Sequence, residues 1–153
     1  MATGTHYRRP GFFTRKVFNR AVAGLTRLGI SVWGSRVLEV RGRSTGETRR
    51  TPVNLLTVDG VPYLVSPRGH SNWVRNVRAD NGNLTLVLGR RREAMVGQEI
   101  ADADKVAILR AYLRRWKAEV GIFFEGVGPD SSDEELAAIA PKHPVFRLSP
   151  AAR

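Results

Sequence analysis

In the middle of the chain, apolar and β-branched residues alternate with polar ones in short runs, the two-residue period of strands with one buried face. Val37-Leu38-Glu39-Val40-Arg41 predicts one strand and Arg50-Thr51-Pro52-Val53-Asn54-Leu55-Leu56-Thr57-Val58 a second. Asp59-Gly60 reads as a tight hairpin turn, and Val61-Pro62-Tyr63-Leu64-Val65 as the returning strand. Pro52 and Pro62 have no amide hydrogen to give a ladder, which sends them to strand starts, edges or bulges. Asn83 to Leu88 and Arg92 to Glu99 predict another hairpin around Gly89-Arg90-Arg91, and Pro144-Val145-Phe146-Arg147-Leu148 a final strand.

Elsewhere the period changes to that of helices. Phe13, Val17, Ala21, Leu25 and Leu28 recur every three or four residues among Arg15, Lys16, Arg20 and Arg27, predicting a basic amphipathic helix over about 11–28. Trp73 to Ala79 predicts a short helix. The strongest pattern runs from Asp102 to Ala118, with Val106, Leu109, Leu113 and Trp116 on one face. Asp102 and Asp104 near its start and Arg114, Arg115 and Lys117 near its end suit the helix dipole, and Gly121 stands beyond as a stop. Asp130-Ser131-Ser132-Asp133-Glu134-Glu135 opens a short acidic helix to Ala140. At least five strands in antiparallel pairs, with helices at the ends, predict an α+β fold: a single domain over residues 1–153 with a small barrel over about 35–149.

Charge narrows the chemistry. Among 153 residues, 25 Lys+Arg against 14 Asp+Glu give a formal charge of +11, which favours a negatively charged partner. With no cysteine there are no disulfides, thiolate nucleophiles or Cys-based metal sites. His6, His70 and His143 are too scattered for a spaced metal motif, so no metal is expected. No run approaches the ~20 apolar residues of a spanning helix, and the N-terminus lacks a signal-peptide core. The expectation is a cytoplasmic protein, with the 11–28 helix as a candidate contact with an anionic membrane surface.

Two segments carry candidate chemistry. Gly42-Arg43-Ser44-Thr45-Gly46-Glu47-Thr48-Arg49-Arg50-Thr51-Pro52 is a glycine-flanked turn between two strands. Its glycines let backbone N–H groups converge on an anion, Ser44 and Thr45 add hydroxyls, and Arg43, Arg49 and Arg50 add forked charge-assisted donors. Gly42-Arg43-Ser44-Thr45-Gly46 also satisfies the G-x-S-x-G expression of serine hydrolases. That nucleophile elbow requires strand–turn–helix, however, and here another strand follows. In Ser66-Pro67-Arg68-Gly69-His70-Ser71-Asn72-Trp73, Ser66 and Arg68 are candidates for further anionic oxygens, and Trp73 for the wall of a flat ring. No carboxylate is identifiably beside His70, which favours a surface-loop role for it. Basic residues are dispersed, without a helix-turn-helix or an aromatic RNA-binding strand, so nucleic acid is not the expected partner.

At these segments the sequence resembles the deazaflavin-dependent nitroreductase family of split β-barrel oxidoreductases. Gly42-Arg43-Ser44-Thr45-Gly46-Glu47-Thr48-Arg49-Arg50-Thr51-Pro52-Val53 is similar to that family's glycine–basic–Ser/Thr–glycine turn, and Asp59-Gly60 to the hairpin that follows it. Val65-Ser66-Pro67-Arg68-Gly69 resembles its Ser-basic-Gly loop, and Trp73-Val74-Arg75-Asn76-Val77-Arg78-Ala79 its W-x-x-N-[LV]-x-A helix. The resemblance implies a split β-barrel with flanking helices that takes 8-hydroxy-5-deazaflavin, coenzyme F420, as its cofactor. It further implies a hydride passed from the reduced ring to a planar electrophile such as a quinone, a nitroaromatic or an enone. The cofactor-binding residues it implies are Arg43, Ser44, Thr45, Arg49, Arg50, Thr51, Pro52, Val53, Ser66, Arg68, Gly69, Trp73 and Asn76. It assigns no proton donor: some members use tyrosines near the C-terminus where this chain has Phe123 and Phe124. Related split barrels bind flavin mononucleotide (FMN), haem or lipid, so FMN is the alternative cofactor and a non-catalytic binder of a hydrophobic ligand the alternative function.

Overall fold

A computed structural model of the protein describes residues 34–152. The helix expected over 11–28, and with it any membrane contact, lies outside the described residues. The strands are β1 (Ser35–Arg41), β2 (Thr48–Val58), β3 (Val61–Val65), β4 (Asn83–Leu88), β5 (Arg91–Glu99) and β6 (Val145–Pro150). The helices are α1 (Asn72–Ala79), α2 (Val106–Val120) and α3 (Asp133–Ile139). The strands close into a barrel in the order β1-β2-β3-β6-β5-β4, with every neighbouring pair antiparallel.

Local signals set the two hairpins. Asp59 and Gly60 take φ of 50° and 77°, which lets Val58 pair with Val61 across a two-residue turn. Leu88 pairs with Arg91 over Gly89-Arg90, so Arg91, expected in the turn, is the first residue of β5. Alternation along the strands divides the core in two. Leu64 and Phe146 are cross-strand partners inside the barrel, whose interior is closed at one end by Val74 and Val77 of α1. Their neighbours Val65 and Val145 pair on the opposite face and lie under Leu109, Leu113 and Trp116 of α2.

The pairing of β2 is incomplete, and this opens the barrel wall. β3 pairs with β2 only from Leu55 to Val58, so Thr48 to Asn54 are laddered to β1 alone. Pro52 belongs to that stretch, where β3 asks for no amide hydrogen. Pro62 likewise precedes Tyr63, the first residue of β3 that pairs with β6.

The expected helix over Asp102–Ala118 is corrected at both ends. Asp102–Asp104 form a separate 3-10 turn, and Lys105 follows it, buried, with Nζ 2.9 Å from the Ala140 carbonyl and 2.7 Å from Asp102 Oδ1. At the other end Trp116 has φ −127° and ψ 16°, a kink, after which the chain continues helically to Val120 and as a 3-10 turn over Gly121–Phe124. Gly121 keeps φ at −54°; the left-handed residues that stop the helix are Glu125 and Gly126, at 51° and 81°. Burial of Val120, Phe123 and Phe124 accounts for the extension, since their apolar area outweighs the stop signal at Gly121.

Candidate functional site

The open stretch of β2 forms one wall of a cleft of about 850 Å³. The β1–β2 turn and α1 bound it on one side, and the loop after β3 and the end of α2 on the other. Among the described residues four arginines, Arg43, Arg49, Arg50 and Arg68, line it against a single carboxylate, Glu119. Ser44, Thr45, Thr51, Pro52, Val53, Ser66, Trp73 and Asn76 line it too. Of the cofactor-binding residues that the resemblance implies, Gly69 alone is not among the lining residues.

The turn itself is built by two backbone bonds, Gly46 N–H to the Gly42 carbonyl and Gly42 N–H to the Glu47 carbonyl, each 2.8 Å. Gly46 has φ 77°, which a side chain would resist. The turn joins antiparallel strands, so Ser44 does not sit on a strand-to-helix elbow. Arg43 is tied to α1: its backbone N–H donates to Asn76 Oδ1 at 3.1 Å and its Nη1 to the same oxygen at 2.8 Å, while Nη2 reaches Asn72 Oδ1 at 3.4 Å. Asn76 is thus a strut of the turn as well as a wall residue. Arg49 is exposed and only 4.0 Å from Glu47, which leaves it available to a ligand.

The second loop is held from within. Ser66 is fully buried, and its hydroxyl donates to the Gly69 carbonyl at 2.5 Å. Gly69, at φ 89°, shapes this loop from outside the cleft lining. His70 Nδ1 lies 3.1 Å from Arg78 Nη1 and Nε2 lies 3.2 Å from the Pro141 carbonyl, while Arg78 makes a two-pronged pair with Glu99 at 2.8 and 2.6 Å. His70 therefore fastens the loop rather than facing the cleft. Arg68 sits 5.5 Å over the Phe123 ring, joining the loop after β3 to the 3-10 turn that follows α2. Trp73 is half-buried: it lines the cleft and packs on Phe146 at 5.8 Å.

The far end of the cleft was not marked by the sequence. Asn54 of β2 and Tyr112, Glu119, Val120 and Phe123 from the α2 region meet there. Burial pushes the Tyr112 hydroxyl above its ordinary pKa, with Glu119 adding to the rise and a hydrogen bond with Asn54 opposing it. Tyr112 therefore stays a neutral phenol. Of the two phenylalanines noted, Phe123 lines the cleft, whereas Phe124 is stacked on His143 at 4.1 Å in the core. Tyr112 and Val120 fit the helical apolar pattern, which gives no sign that one end of that stripe reaches past the core.

Fold and cleft together define an α+β split barrel with an arginine-lined groove. The sequence profile of the F420H(2)-dependent quinone reductase family matches residues 14–123, and the chain belongs to that family. It is accordingly an F420H2-dependent reductase, with F420 as its cofactor and a small molecule as its substrate. Solved structures agree on the fold. An F420-H2 dependent reductase (FDR-A) is 15% identical with a TM-score of 0.50, over 76% of this chain and 94% of that one. A domain-swapped dimer is 16% identical at 0.54, over 92% and 100%. A protein of unknown function from Agrobacterium tumefaciens is 13% identical at 0.57, over 95% and 58%. No curated protein matches the chain. Among the described residues no helix is long and apolar enough to cross a membrane.

Proposed function

We propose that the cleft binds reduced F420 with its phosphate and glutamyl tail along Arg43, Ser44, Thr45, Arg49 and Arg50, and its ring between Trp73 and the Thr51–Val53 edge of β2. The observation that carries this reading is the clustering of four guanidinium groups in one cleft that also holds an apolar wall. A tricyclic ring with a polyanionic tail needs both surfaces together. Reduced F420 supplies a hydride, which with one proton converts a quinone to a hydroquinone.

The chain's own residues bind, orient and exclude water. Arg43, held by Asn76 and Asn72, meets the tail without first losing side-chain freedom. Pro52, Val53, Val65 and Trp73 offer apolar contact to a flat ring. Val120, Phe123 and Tyr112 provide the apolar end that suits a planar acceptor, a quinone first, with nitroaromatics and enones as related electrophiles. The neutral Tyr112 hydroxyl and the Asn54 amide are the polar groups there for an acceptor oxygen.

The test is a fluorescence titration of the purified protein with oxidised F420 and with FMN, followed by turnover of reduced F420 against a panel of quinones, nitroaromatics and enones. Micromolar binding of F420 with quinone reduction is expected. Preference for FMN, or F420 binding without reduction of any acceptor, would overturn this assignment.

A further inference from the structure

Glu39 is a carboxylate on the barrel wall, 7% exposed and outside the cleft lining. A buried charge is tolerated only when paired, and two guanidiniums pair it. Arg50, its direct cross-strand neighbour on β2, donates Nε to Oε2 at 2.8 Å. Arg92 arrives from β5 on the other side, with Nη1 3.3 Å from Oε2 and Nη2 on Oε1. Of the three residues only Arg50 also lines the cleft. Its bond to Glu39 spends Nε, and the two terminal amino groups are the fork that phosphate and carboxylate oxygens engage.

We infer that Glu39 is a positioning residue for cofactor binding: it fixes the Arg50 guanidinium at the cleft wall, and Arg92 supplies the charge that keeps the carboxylate in place. This rests on the proposed reading of the cleft as the seat of the anionic tail. Two effects of Glu39 oppose each other. Its negative charge weakens the field on an anion, but Arg92 pairs the same carboxylate and offsets that charge. Its grip on Arg50 preserves an oriented charge-assisted bond worth about tenfold or more. Orientation therefore outweighs charge.

The experiment is a fluorescence titration of the full chain at physiological salt with oxidised F420 and with the deazaflavin chromophore lacking phosphate and glutamates. Glu39→Gln, which keeps size and one acceptor oxygen, is expected to weaken F420 binding about tenfold and to leave the tail-less chromophore unaffected. Arg50→Ala should weaken F420 similarly, and adding Glu39→Gln to it should cost nothing further. Arg50→Lys keeps the charge at an exposed position, so it serves should Glu39→Gln fail to fold, and it is expected to lose as much affinity as Arg50→Ala. Undiminished or tighter F420 binding by Glu39→Gln, additive losses in the double variant, or full affinity in Arg50→Lys would overturn the inference. Wild-type protein that binds neither probe would instead overturn the reading of the cleft, and this inference with it.

Discussion

Asn76 Oδ1 accepts both the backbone N–H of Arg43, at 3.1 Å, and its guanidinium Nη1, at 2.8 Å. One buried side-chain oxygen, 33 residues away in sequence, thereby locks the β1–β2 turn to α1 and fixes the direction of its first arginine. Asn76→Ala removes both bonds. It should cost about 1–3 kcal/mol of stability and weaken F420 binding about tenfold. Denaturant unfolding and a cofactor titration on the same preparation check the two effects.

Arg49 behaves differently, because its nearest acid, Glu47, is 4.0 Å away and both side chains are exposed. Arg49→Ala should leave the unfolding midpoint unchanged within error. Cofactor affinity should fall by about 1.5–3 kcal/mol if the guanidinium binds the tail. A shallower salt dependence in the variant's titration, relative to wild type, is the accompanying sign.

Hydrogen bonds from Arg92 and then Arg50 hold the Glu39 carboxyl below the usual carboxylate range, against the cost of burial. A lowered folded-state pKa means that the unfolded chain takes up the proton first. The contribution to stability is full above the ordinary carboxylate pKa and is lost as pH falls through the lower folded value. Melting temperature should therefore drop more steeply as pH falls below the ordinary carboxylate range in wild type than in Glu39→Gln. Parallel pH profiles for the two proteins would contradict this.

Gly82 packs against β5. A Cβ there would stand 2.4 Å from the Gly97 carbonyl oxygen, at a φ of +86° that side chains resist. Gly82→Ala should destabilise the barrel by about 2–4 kcal/mol, from backbone strain and overpacking together. Calorimetry should show a lower unfolding temperature, while the cleft residues of any folded fraction keep their cofactor affinity.

Much of the architecture was legible because its signals are local. Asp59-Gly60 specified a hairpin, strand alternation specified an inner and an outer face, and the acidic run at Ser132 specified a helix start, where Ser132 and Glu135 complete a capping box. The limits of α2 depart from its local signals for a related reason. Gly121 is a fair stop signal by itself, but the burial of Val120, Phe123 and Phe124 overrides it, and that burial depends on strands far away in sequence. The basic turn and the Ser-Pro-Arg-Gly loop stood out as anion-binding material from composition alone. Their distinct duties did not: Asn76 bracing Arg43, Ser66 closing its own loop and Gly69 staying behind it are facts of three-dimensional placement.

The amino-acid sequence alone determined the strand and helix material, the positive charge and the two segments that line the cleft, since propensity, turn chemistry and charge act over a few residues. Only the tertiary structure decided where the barrel opens, which arginine is braced by Glu39, and that Asn54 of β2 meets Tyr112 and Glu119 of α2 at the end of the cleft. Those outcomes follow from strand register and helix docking, which are fixed by burying apolar surface between parts of the chain that carry no local mark of one another.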